Sequence, residues 1–212
     1  VIIHECTQGS DEWLTLRSGK LTASSAKKVF TPTKGDLKEG AIEHIYQLIG
    51  ECYDPDYIYF AGNKFTDRGN ELEPAARKQF TELTGIEVHE VGFVTQDNKV
   101  IGASPDGLIK GPDGAWLEGL ELKAHNPGKH VEFMHKGVLP PEHRLQVHLS
   151  MVVTGLNRWH FLSHHPDMAP FYVITERDSF TEKLEESCKE FITLYQAVWN
   201  DVASKLTPNK TK

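Results

Sequence analysis

The stretch whose reading decides the fold is GASPDGLIKGPDGAWLEGLELK, residues 102–123. Its second half, Trp116–Lys123, has the composition of a strand. The two-residue period of a strand puts Glu121 and Lys123 on one face and Leu120 and Leu122 on the other. A strand that carries a charged pair is an anomaly, because buried charge is costly unless it is paired or bound to metal. Upstream, the strand VIGAS runs into SPDG, with Pro second and Gly fourth as in a tight turn. Asp106 is therefore either a turn residue or a site residue. Asp113 lies in an equally turn-like PDG, at the tip of the hairpin 110–114; only Asp106 follows a strand directly.

Working outward, Ser10 or Asp11 can cap a short helix over 11–18 that Gly19 closes, and Thr22 or Ser24 a second helix into Ala26–Phe30. Arg17, Thr22 and Ser24 then cluster near a helix N-terminus. Capping alone accounts for them; an anion site, fed by free N–H groups, is the other reading. A helix is predicted over Ala41–Cys52, followed by an aromatic, Pro-interrupted connection over 53–60. The clearest helix, 67–84, stops at Gly85, with Leu72, Ala76, Phe80 and Leu83 on one face. Glu73 falls on the flank of that face, equally readable as a boundary carboxylate or a site residue, and Glu71 points to solvent. After the strands of 86–123 come a short helix over 129–136 and a helix from Pro141 to Thr154, with Gln146 on the flank of its apolar side. Strands 158–165 and 171–176, a long amphipathic helix and a frayed tail, TPNKTK, close the chain. This order predicts an α+β fold, a central mixed sheet flanked by helices.

At 212 residues and 23.9 kDa, residues 1–212 read as a single domain with a full core. No apolar run approaches the roughly 20 residues that cross a bilayer, and no basic-then-apolar leader opens the chain. Cys6, Cys52 and Cys188 are far apart with no CxxC pair, which argues against a disulfide framework or a Cys-ligated metal and for a reducing cytoplasm. The net charge of −7 makes a poor general binder of phosphate backbones. A local basic cleft or bound divalent cations would have to reverse the sign.

Asp106 and Glu121 supply two oxygen ligands, and the Leu122 backbone carbonyl between Glu121 and Lys123 a third, a set suited to Mg²⁺ with several waters. Lys123, on the same strand face as Glu121, is placed to orient a nucleophilic water and to stabilise charge on a phosphate. The 11 histidines include a dense group, His125, His130, His135, His143 and His148. None forms HExxH, and His143 and His148 lie roughly 140° apart on a helix, so most read as surface or packing residues rather than zinc ligands.

Asp–x14–Glu–x–Lys resembles the signature of the PD-(D/E)xK nuclease superfamily, with Pro105–Asp106 and Glu121–Leu122–Lys123 as its halves. Five blocks in order, QGSDEWLTLRSGKLTAS, RGNELEPAAR (68–77), GASPDGLI, LELK and QVHLSM (146–151), are similar to those of the phage lambda exonuclease, or YqaJ-type alkaline exonuclease, family. They cover residues 8–155. The resemblance implies a restriction-endonuclease-like core and a Mg²⁺-dependent exonuclease, Mn²⁺ being a possible substitute. Such an enzyme degrades one strand of linear duplex DNA 5′→3′ and leaves a 3′ tail for a single-strand annealing partner. It implies Asp106 and Glu121 as metal acids, Lys123 as catalytic lysine, Glu73 as the helix glutamate and Gln146 as its supporting glutamine. It also implies Arg17, Thr22, Ser24 and Ser104 as the 5′-phosphate pocket, a ring-shaped homotrimer, and a phage or prophage protein in the bacterial cytoplasm. Some superfamily members carry an aromatic four residues after the glutamine, where this chain has Ser150. An endonuclease of the same superfamily and a non-catalytic DNA-end-binding module are the competing readings.

Overall fold

The computed structural model describes residues 1–54 and 64–206, except for the side chains of 64–71. The aromatic connection over 53–60 lies almost wholly outside the described residues, as do the side chain of Glu71 and the tail 207–212. The α+β class holds, with the strands among the described residues divided between two mixed four-stranded sheets.

The first sheet has the order β1 (Ile2–His4), β3 (Phe93–Thr95), β4 (Ile101–Ala103), β2 (Leu21–Thr22), with β2 and β4 parallel. The second runs β5 (Gly107–Lys110), β6 (Trp116–Ala124), β7 (Arg158–His164), β8 (Phe171–Glu176). Within it β6 and β7 are parallel, joined through α4 (Pro127–Lys136) and α5 (Pro141–Thr154). A parallel pair needs such a crossover, since no hairpin can connect it.

The alternation in β6 sorts its side chains as the sequence predicts. Leu120 and Leu122 pack with Ala76 and Phe80 of α3 (Lys64–Thr84) on one face of the second sheet. Trp159 and Phe161 of β7 pack with Phe133 of α4 and with Val147 and Met151 of α5 on the other. Gly119 is required by this layer: a Cβ there would lie 2.3 Å from the Trp159 ring. The first sheet, α2 (Ala41–Tyr53), α5 and α6 (Ser179–Leu206) enclose the largest core cluster.

Four expectations change. The strand expected from Ile86 begins only at Phe93, and before it His89 alone makes a bridge, to Leu108. Leu83 is exposed rather than on the buried face of α3. The helix expected into Ala26–Phe30 is a 3₁₀ helix over Ala23–Lys28, in which Thr22 and Ser25 exchange hydrogen bonds. SPDG makes no hairpin turn. It is the bend by which the chain leaves β4 in the first sheet and enters β5 in the second.

Candidate active site

That bend brings the predicted residues together. The Asp106 N–H donates to the Leu120 carbonyl at 3.1 Å, and Asp106 Oδ2 accepts from the Leu122 N–H at 2.6 Å. The Asp106 carboxylate is thus pinned to the peptide that joins Glu121 to Leu122. The bond between the Asp106 N–H and the Leu120 carbonyl fixes how closely the two backbones approach.

Glu121 is 1% exposed and shares a face with Lys123, whose Nζ donates to Glu121 Oε1. Gln146 of α5 donates its amide N–H to the same oxygen. The other carboxylate oxygen, Oε2, is buried and has no hydrogen-bond partner. A buried carboxylate oxygen left bare is costly, and a bound cation would satisfy it.

Glu73 reaches the cluster from α3. Arg77, one turn later, donates through Nη2 to Glu73 Oε1 at 2.6 Å and to the Asp106 carbonyl at 3.0 Å, while its Nη1 pairs with Glu90 at 2.8 Å. From the other side of the bend, Gln8 donates to the Pro105 carbonyl at 2.8 Å.

The electrostatics are those of a crowded acidic site. Burial holds Glu121 well above the usual carboxylate range; Asp106 and Glu73 add to this, and Lys123 opposes it. Burial likewise raises Asp106, against Lys123, the Leu122 N–H and Arg77. Glu73 rises through burial and the Asp106 charge. Burial pulls Lys123 down, but Glu121, Asp106 and Glu73 outweigh it and keep the ammonium protonated. The cluster therefore holds surplus negative potential. Among the described residues no group of three or more His, Cys, Asp or Glu side chains is arranged around one point. Asp106 and Glu121, with the Leu122 carbonyl of the set expected from the sequence, are the groups that could hold a hard divalent cation that keeps most of its waters.

The second predicted cluster assembles at the other end of the same bend. Ser104 Oγ accepts from Arg17 Nη1 at 2.9 Å, and Arg17 Nη2 reaches Ser24 Oγ at 3.4 Å. Thr22 Oγ1 lies 3.2 Å from Ser24 Oγ. Burial draws Arg17 down to about 10, with Glu51 opposing, so the guanidinium stays charged at neutral pH. Ser104 and Asp106 are separated only by Pro105, so their backbones lie within about 7 Å. The Arg17–Ser104 cluster and the acid cluster are neighbours for that reason.

Sequence reasoning missed Trp13 and Arg77. The Trp13 indole N–H lies 2.9 Å from Ser104 Oγ, and its ring centroid is 4.1 Å from the Arg17 guanidinium carbon. Both missed residues stand four positions from a residue already singled out, Arg17 and Glu73, and i,i+4 neighbours share a helix face. That spacing was the available signal. Asp113, in the second PDG, caps only its own hairpin, accepting from the Ala115 N–H. Ser150, four residues after Gln146, is buried in α5.

Residues 12–157 match the YqaJ-like viral recombinase domain family. In three dimensions the chain is similar to an alkaline exonuclease from Laribacter hongkongensis, with 27% identity and a TM-score of 0.71 over 92% of this chain and 99% of that one. A structure of that enzyme in complex with dAMP matches at 28% identity and a TM-score of 0.70, with the same coverage. A phage related exonuclease from Haemophilus somnus shares the fold at 18% identity, with a TM-score of 0.62 over 89% of this chain and 96% of that one. No curated protein sequence matches the chain.

Proposed function

The chain belongs to the YqaJ-like viral recombinase family, and from that membership we propose that it is a Mg²⁺-dependent exonuclease that degrades one strand of linear duplex DNA 5′→3′. The observation that carries this reading is the bend Ser104–Asp106, which sets the Arg17 pocket beside the Asp106–Glu121–Lys123 cluster. An enzyme that must start at an end needs both: one site for a terminal phosphate and, next to it, one for hydrolysis. A similar enzyme described as an alkaline exonuclease binds dAMP, a nucleoside monophosphate of the kind such hydrolysis releases.

Asp106, Glu121 and the Leu122 carbonyl would hold Mg²⁺, with Mn²⁺ as substitute. When bound, the ion lowers the pKa of a coordinated water and offsets charge on the phosphate. Lys123, held protonated, stabilises the negative charge that grows on the phosphoryl oxygens and orients the attacking water. Gln146 fixes Glu121, leaving Oε2 free. Arg77 locks Glu73 against the carbonyl of Asp106. Arg17, clamped over Trp13, presents its guanidinium with Ser24, Thr22 and Ser104 to the 5′-phosphate in a fork suited to phosphate oxygens.

The 3′ tail left behind would pass to a single-strand annealing protein in the cytoplasm of a bacterial host carrying the phage or prophage. A homotrimeric ring would reconcile an acidic chain with a DNA channel, and light scattering would then give three times the 23.9 kDa chain mass. The activity is tested with 5′-labelled, 3′-labelled and covalently closed circular duplexes, each with Mg²⁺ and with EDTA. The 5′ label should be released first as mononucleotide, circles should stay intact, and EDTA should stop the reaction. Cut circles would instead identify an endonuclease, and inertness on every substrate with Mg²⁺ present would identify an end-binding module.

A further inference from the structure

His125 and His143 belong to none of the groups above, yet they end a continuous row of hydrogen bonds beside Lys123. His130 Nε2 lies 2.9 Å from the Ala169 carbonyl, and its Nδ1 lies 3.1 Å from Ser163 Oγ. The same Oγ is 3.1 Å from His125 Nδ1, and His125 Nε2 is 2.9 Å from His143 Nε2. A carbonyl only accepts, so His130 carries its proton on Nε2. Given a single proton on His130, Ser163 donates to His130 Nδ1, His125 Nδ1–H donates to Ser163, and His143 Nε2–H donates to His125. Burial, with Lys123 adding to it, draws His125 down to about 4 and His143 to about 3, so both rings are neutral at neutral pH. Phe133 meets the His125 ring edge-on at 4.8 Å, and Phe161 lies 5.1 Å from His143, which holds the ring planes.

The placement is specific. His125 follows Lys123 by two positions, just past the end of β6, and His143 precedes Gln146 by three, close to one turn of α5. Gln146–Glu121 and His143–His125 are therefore successive cross-links between the same strand and the same helix, with Lys123 between them along the strand.

We propose that the His125–His143 pair positions the hydrolytic residues: it is the second cross-link between β6 and α5, and it sets where Lys123 and Gln146 stand around Glu121. The inference rests on the nuclease reading of that site. A neutral pair serves here because a cation at His143 or His125 would repel the Lys123 ammonium. One donor supplied from α5 to one acceptor beside β6 fixes the contact's direction.

The test compares wild type, His143→Leu, His143→Gln and Lys123→Ala on 5′-phosphorylated linear duplex with Mg²⁺, with a thermal melt of each. Gln keeps an N–H that can donate to His125, whereas Leu fills space and donates nothing. His143→Leu should lose about 10- to 100-fold in kcat with KM unchanged, the scale seen when groups supporting a site are removed. His143→Gln should recover most of it. A His143→Leu variant with wild-type kcat, or a Gln variant as slow as Leu, overturns the proposal. Should the Leu variant not fold, imidazole ¹⁵N spectra of the wild-type chain decide: His125 must carry its proton on Nδ1 and His143 on Nε2, and the opposite tautomers overturn it. An inactive wild type would bring down the nuclease reading as well, whereas an active wild type matched by His143→Leu removes only the role of the pair.

Discussion

Arg77→Leu should cost both stability and activity, by amounts the geometry sets. The Arg77 side chain is 17% exposed and fastens α3 to the inter-sheet bend through its 3.0 Å hydrogen bond to the Asp106 carbonyl. A hydrogen bond to a charged group contributes about 1.5–3 kcal/mol. Its pair with Glu90, which is 73% exposed, adds at most about 1 kcal/mol, and the pair with Glu73, itself 31% exposed, a similar amount. The sum is about 1.5–5 kcal/mol, or about 3–20 °C in Tm for a chain of this size. Urea and thermal melts read the first effect. The second is read well below Tm: kcat should fall at least about tenfold, because the bend that aims Asp106 is no longer held. Arg77→Lys should rescue only part of the loss, since one ammonium can take over the Nη2 contacts to Glu73 and the Asp106 carbonyl but cannot also hold Glu90 as Nη1 does. A Leu variant within about 1 kcal/mol of wild type, below the least such a set of contacts supplies, and equally active would refute the view that Arg77 holds the bend.

Arg17→Ala should slow digestion of 5′-phosphorylated ends while leaving 5′-hydroxyl ends little changed; equal slowing on both would remove the phosphate from that pocket. Gly119→Ala should destabilise by about 1–3 kcal/mol, measured by urea melts, because its Cβ would enter the Trp159 ring. The buried histidines predict an acid dependence. His143 has a folded pKa below its unfolded value, so it lends stability above about pH 6.5 that is lost as pH falls toward about 3. His143→Gln should therefore show a flatter fall in stability than wild type between about pH 6.5 and about pH 4, and parallel curves would contradict the neutral ring.

The strand β6 was legible because alternation is a local property: Leu120, Glu121, Leu122 and Lys123 announce their two faces without reference to the rest of the chain. The face of α3 through Phe80 was legible for the same reason, as were the flanking positions of Glu73 and Gln146, whereas Leu83 is exposed and α5 is buried well beyond its predicted apolar side. The role of Ser104–Asp106 was not. Ser, Pro, Asp and Gly favour a tight turn and a passage between sheets alike, and only pairing elsewhere in the chain, β4 with β3 and β5 with β6, decides which. Arg77 was overlooked because a Glu–Arg pair four residues apart reads as a solvated surface pair; its reach to the Asp106 carbonyl depends on how α3 lies against the second sheet. Likewise the row from His130 to His143 joins residues of β7, α4 and α5, a convergence that spacing in sequence does not encode.

The most direct test of a shared cation site is Mn²⁺ binding, followed by electron paramagnetic resonance in the absence of DNA, to wild type, Asp106→Asn, Glu121→Gln and Asp113→Asn. Wild type and Asp113→Asn should bind the ion alike, and Asp106→Asn and Glu121→Gln should each bind it at least about tenfold more weakly, one carboxylate ligand having been neutralised. Binding that is unchanged by Asp106→Asn and Glu121→Gln would place the ion elsewhere and contradict the convergence of the inter-sheet bend and the edge of β6 on a single cation.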